Sequence, residues 1–123
     1  MIDPVALLKT YHAALNDFDL TTVKSMFAED AVYVSPGSNG QIEGRDAIMK
    51  AMESYFAEFA DQVSVDESVE QASEISATAN WRLKATSSLT GKSSSRHGSE
   101  TIIFNYDGLI QRVEVTDRVV SQS

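Results

Sequence analysis

The sequence predicts an α+β domain, and three observations carry the prediction. Apolar residues recur at helical spacing through the first half of the chain and alternate with a period of two through the second. The length, 123 residues, is that of one ordinary domain, so residues 1–123 are read as a single unit. Apolar residues make up 42% and charged residues 23%, which is the balance of a chain with a core to bury rather than a disordered one.

Asp3 followed by Pro4 reads as a helix start, with a carboxylate at the N-cap and proline at the first helical position. Leu7, Tyr11, Ala14 and Phe18 then fall on one stripe, with Leu8 and Leu15 beside it. Asp19 is placed to cap a second, short helix carrying Val23, Met26 and Phe27. Glu29 and Asp30 read as its solvated end. Residues 31–35 are too short and too β-branched for a helix and read as a strand closed by Pro36-Gly37. A polar loop over 38–44 leads to a third helix at about 46–60, with Ile48, Met52, Tyr55 and Phe59 on its apolar face.

From Gln62 the pattern changes to alternation. Val63, Val65 and Val69 mark one strand, and Ala79, Trp81, Leu83 and Ala85 a second. Ile102 and Phe104 belong to a third, and Val113, Val115 and Val119 to a fourth. The serine-rich stretch 87–99 has Gly91-Lys92 at its middle, so it reads as a long hairpin rather than a linker. Asn105-Tyr106-Asp107-Gly108 reads as the turn joining the last two strands, Asp-Gly supplying positive φ.

Composition excludes several classes of function. No apolar run approaches the roughly 18 residues of a membrane helix. Met-Ile-Asp-Pro does not open a basic and then apolar leader, so no secretory signal is expected. With no cysteine there is no disulfide, no thiolate chemistry and no cysteine zinc site. A cytoplasmic location is the expectation. Ten basic against eighteen acidic residues leave a net charge of −8, which repels nucleic acid and anionic bilayers alike.

Three helices and a twisted antiparallel sheet must cover one another's apolar faces. If the first and third helices cover only part of a curved sheet, a cone-shaped pocket remains between them. Its walls would be the inward residues of the alternating strands, and a ligand would bind there.

Several segments resemble the NTF2-like superfamily. Tyr11 to Asp19 (YHAALNDFD) and Met26 to Val34 (MFAEDAVYV) look like its opening, and Phe104 to Asp117 (FNYDGLIQRVEVTD) like its closing hairpin. Ile42-Glu43-Gly44-Arg45-Asp46-Ala47-Ile48 is similar to the lead-in to its third helix. The likeness runs from about Val5 to Val120 and is strongest to the SnoaL-like group, which includes ketosteroid isomerases and polyketide cyclases. It implies a cone of three helices on a curved, mostly antiparallel sheet enclosing a pocket. It also implies a homodimer through the outer sheet face, here carrying Thr and Ser with Arg82, Lys84 and Arg112.

Ketosteroid isomerases polarise a ketone with a tyrosine and a protonated aspartic acid, while a second aspartate moves the proton. Tyr11 stands at the tyrosine position, and Glu100, four residues before Phe104, at that of the protonated acid. Ser35 occupies the place of the proton-moving aspartate, and serine is no base without an activating partner. Steroid isomerisation is therefore not expected. Another carboxylate is available: Asp117 shares a face with Val113, Val115 and Val119, so it should point inward as a cross-strand or diagonal neighbour of Glu100. Two carboxylates in an apolar pocket repel, so one should keep its proton. Polyketide cyclases of the group also use a sheet aspartate.

Tyr11, Glu100 and Asp117 are thus the candidate catalytic residues, with Tyr33, Ser35, Tyr55, Phe59, Trp81, Leu83 and Ile102 as candidate ligand contacts. Each has a plainer reading: Tyr11, Trp81 and Leu83 as core, Glu100 and Asp117 at a wet rim. His97 falls on the face opposite Glu100, and His12 reads as packing at a helix edge. Two histidines without HxH or HxxxH spacing make no metal site, and no cofactor is expected. Three functions follow: an acid–base isomerase, cyclase or dehydratase acting on a small apolar carbonyl compound, a non-catalytic binder of such a molecule, or a dimeric interaction module.

Overall fold

The first helix, α1 (Pro4–Asn16), starts where the sequence places it, because the Asp3 side chain accepts from the Ala6 N–H at 3.1 Å. The structure is a computed structural model and describes residues 2–35 and 40–122, with side chains through Thr116. Pro36-Gly37 lies outside the described residues. The α1 stripe buries Leu8, Tyr11, His12 and Ala14. Phe18 departs from it: at φ 54° it turns the chain, and its half-exposed ring packs edge-on against Phe56 with centroids 5.0 Å apart.

The second helix, α2 (Leu20–Met26), is capped by Asp19, whose carboxylate accepts from the Thr22 N–H and hydroxyl at 3.2 and 2.6 Å. Phe27 is not helical. It begins β1 (Phe27–Ser35), four residues earlier than the sequence suggests, and its fully buried ring meets Tyr11 edge-on. Glu29 and Asp30 are therefore exposed strand residues. The segment read as a loop holds a short strand, β2 (Gly40–Glu43), paired antiparallel with β1. Four residues with one apolar side chain, Ile42, are too few to show alternation. Gly44, at φ 93°, then opens α3 (Arg45–Glu58).

The rest is sheet: β3 (Val63–Ser73), β4 (Ser76–Thr86), β5 (Ser93–Phe104) and β6 (Ile110–Gln122). All six strands form one curved sheet in the order β2-β1-β6-β5-β4-β3, antiparallel except where β1 runs parallel to β6. Pairing first strand with last brings residues from both ends of the chain onto the same inner face. There the helices bury Leu8, Val23, Phe27, Ile48, Ile102, Phe104, Ile110 and Val113. β4, β5 and the described part of β6 present their apolar sets inward as alternation predicts.

The serine-rich segment is indeed a hairpin. Its turn is moored to the end of α3 by Ser87 Oγ donating to Glu58 at 2.6 Å and Ser88 N–H donating to the Glu58 carbonyl at 2.9 Å. In the β5–β6 turn only Gly108 has positive φ; Asp107 does not. Asn105 Oδ1 instead accepts from the N–H groups of Asp107 and Leu109, both at 3.0 Å, and holds the turn.

Gly98 faces Trp81 across the β4–β5 ladder, and the indole lies over the space a side chain would need. A Cβ at this position would collide with the ring and sit 2.5 Å from the Thr116 carbonyl oxygen. Gly98→Ala is expected to cost about 1–3 kcal/mol. In thermal melts that is a drop of roughly 4–12 °C in a domain of this size; an unchanged Tm would show that the strand yields freely.

Candidate functional site

Tyr11 and His12 are successive residues about 100° apart on α1, so both reach the concave side of the sheet. Beneath them lies a cavity of about 270 Å³, partly open to solvent. Tyr33 and Ser35 of β1, Trp81 and Leu83 of β4, Val115 of β6 and Ile48, Met52, Tyr55 and Phe56 of α3 line it with Tyr11, His12 and Glu100. Five of the seven expected contacts are therefore at the wall. Phe59 and Ile102 are not: Phe59 packs behind Tyr55, ring centroids 4.8 Å apart, and Ile102 is buried in the core. Gln62 and Ser64 also line the cavity and were not anticipated.

The polar end is organised by His12, which is no helix-edge residue. Its Nδ1–H points at both carboxylate oxygens of Asp66, at 2.7 and 2.9 Å. Its Nε2–H donates to Glu100 Oε1 at 2.5 Å. Both ring nitrogens face carboxylates, an arrangement that favours the doubly protonated imidazolium. Burial of the ring pulls its pKa down, but the hydrogen bonds it donates to Asp66 and Glu100 outweigh that and raise it from 6.5 to about 10. The partner of Glu100 is thus a cation held from behind by a second carboxylate.

Asp66 reaches this position through a strand irregularity. It pairs with Trp81 while Ser68 pairs with Asn80, so Glu67 is an extra residue and the faces of β3 switch. Before the bulge Ser64 and Asp66 point inward, and Val63 and Val65 point to solvent at 59% and 50% exposure. After it Val69 packs on the core. The valines thus suggest the wrong face for the first half of β3. Opposite Glu100 on β4 is Ala79, whose small side chain leaves space for the imidazole.

Tyr11 is fully buried, and its hydroxyl has no hydrogen-bond partner among the described residues. Burial, then the charge of Glu100 and the nearby Tyr33, push its pKa well above 10, so the group stays a donor. Asp117 pairs with Gly98 in the β5–β6 register, while Glu100 pairs with Val115. The Asp117 side chain lies outside the described residues. His97 is exposed, on the outer face. Among the described residues no His, Cys, Asp and Glu cluster is arranged to hold a metal ion, and no helix is long and apolar enough to cross a membrane.

The fold has clear counterparts among solved structures. An epoxide hydrolase/cyclase-like enzyme of pyran ring formation in the polyether salinomycin, SalBIII, superposes with a TM-score of 0.84 at 16% identity, covering 96% of this chain and 92% of that one. RV0760c from Mycobacterium tuberculosis, solved with estradiol-17beta-hemisuccinate, gives 0.83 at 15% identity over 98% and 97%. A computationally designed 17-OHP binder gives 0.82 at 15% identity over 99% and 98%. At such identities the likeness establishes the fold alone. No curated protein matches the chain in sequence. The SnoaL-like domain, however, matches residues 8–113, most of the chain, and the protein belongs to that family.

Proposed function

We propose that this protein binds a small, mostly apolar ring or carbonyl compound in the cone cavity and moves a proton on it. The observation that carries the reading is the unpartnered, buried Tyr11 hydroxyl beside the Glu100–His12 ion pair, on a wall that is otherwise largely apolar. A buried hydroxyl without a partner costs about 1–3 kcal/mol, which a ligand oxygen would recover. That a relative by fold is a cyclase-like enzyme and another was solved with a steroid ester is consistent with such a ligand.

In this scheme the ligand carbonyl accepts from Tyr11. Glu100 takes a proton from the adjacent carbon, and the electron pair moves onto the carbonyl oxygen, where Tyr11 stabilises the enolate. Return of the proton at another carbon is isomerisation; loss of a β-hydroxyl as water is dehydration; attack of the enolate carbon on an internal carbonyl is cyclisation. His12 keeps both protons and fixes the Glu100 carboxylate, with Asp66 holding the ring. Ser35 lines the cavity where a ketosteroid isomerase would carry its base, and this favours the second reading, a binder without turnover. We also assign a homodimer to the outer sheet face, where Val63 and Val65 stand exposed beside their β4 register partners Lys84 and Arg82; sedimentation at micromolar concentration tests it.

Thermal shift against small cyclic enones, phenols and ketones tests the binding claim. Saturation at a hundred times Kd adds about 2.7 kcal/mol. Proton transfer is then read by NMR as deuterium uptake at the α-carbon in D2O. Uptake by the wild type and loss in Glu100→Gln is the expected result. Binding without uptake selects the binder, and no stabilisation by any ring compound removes the reading.

A further inference from the structure

We propose that the ligand is a mono- or bicyclic ketone bearing a second polar group, a hydroxyl or N–H, that donates to Gln62. This deepens the function proposed above and rests on it. Gln62 follows α3, its N–H donating to the Phe59 carbonyl at 3.1 Å, and its side chain is carried into the cavity wall. The residue is 8% exposed, and its carboxamide Oε1 is buried with no hydrogen-bond partner among the described residues. Among the described residues Tyr11 Oη is another such atom on this wall.

Two orphaned polar groups of different kind on one cavity define a pattern. The Tyr11 hydroxyl offers a proton; the Gln62 oxygen can only accept one. The cationic donor His12 has both nitrogens committed to Asp66 and Glu100. One ligand with an acceptor at one point and a donor at another completes both groups. A simple ketone completes one and leaves the amide oxygen dry, a residual cost that sets the preference.

Size narrows the class. A cavity of ~150 Å³ holds a benzene ring. The present 270 Å³ suits one or two rings, and a four-ring skeleton would project from the mouth.

The test is calorimetric titration with 1-tetralone, its 5-, 6- and 7-hydroxy derivatives and the matching methyl ethers, which keep the bulk and lose the donor. At least one hydroxyl isomer should bind about five- to tenfold tighter than its ether and than 1-tetralone. Gln62→Leu and Gln62→Met should erase that gain, so that each hydroxyl isomer binds no tighter than its ether. Tyr11→Phe should weaken every compound. Should neither Gln62 variant fold, the wild-type comparison of hydroxyl with ether decides. If no isomer exceeds its ether, or the gain survives both Gln62 variants, while Tyr11→Phe still weakens 1-tetralone, the inference about Gln62 falls and the ligand reading stands. If nothing binds, or binding ignores Tyr11→Phe, the proposed function falls and takes the inference with it.

Discussion

His12→Ala is expected to destabilise the domain by about 3–5 kcal/mol near pH 7, the cost of leaving a buried ion pair with one partner removed. That is a large share of the ~5–15 kcal/mol available to a domain. The reason lies in the site: Asp66 and Glu100, with side chains 20% and 8% exposed, would share an apolar wall with no cation between them. The pH dependence follows from the direction of the His12 shift. Its folded pKa, about 10, lies above the ordinary 6.5. Its contribution is therefore complete below pH 6.5 and is lost as pH rises toward 10. Urea midpoints of the wild type should fall over that interval, and the gap to His12→Ala should narrow. Asp66→Asn keeps the shape and removes a charge, so the alkaline midpoint should move down by about 1–3 pH units. A wild-type midpoint flat from pH 6.5 to 10 would mean that the imidazole is neutral.

Tyr11→Phe should do the reverse in the empty protein and remove function from the loaded one. The variant deletes a buried hydroxyl that has no partner, so the unliganded fold should gain about 1 kcal/mol, or roughly 4 °C in Tm. The ring itself remains in the core against Phe27. Ligand stabilisation should then be largely lost, and any turnover should drop by about 10²–10³. A higher melting point together with lost binding distinguishes a group held ready for a ligand from a core tyrosine. A variant that melts lower, with binding intact, would make Tyr11 structural. Stability yielded for function in this way is common at sites that must keep polar groups uncommitted.

Much of this arrangement can be read from local residues. Asp3-Pro4 and Asp19 place the helix starts because capping is decided by neighbours three residues away. The strands β4, β5 and β6 follow from alternation, which a buried face imposes wherever pairing is regular. Tyr11 and Glu100 stand out for the same reason, as polar residues on apolar faces, and both meet at the cavity.

What escaped is long-range. His12 differs from any helix-edge histidine only because Asp66, 54 residues away, and Glu100, 88 residues away, close on it. Asp66 itself is hidden by the β3 bulge, which exposes Val63 and Val65 and turns an apparently outward aspartate inward. Gln62 carries no periodic signal, and its significance is that its buried oxygen finds no partner.

The sequence by itself determined the α+β class, the helix starts, the faces of the regular strands and two of the groups at the cavity. Each of these depends on residues close in sequence or on a period that repeats. Tertiary structure alone decided the charge of His12, the inward turn of Asp66 and the open valencies of Tyr11 and Gln62. A proton's affinity and an unmet hydrogen bond depend on what lies within about 3 Å in space, and distant segments supply it.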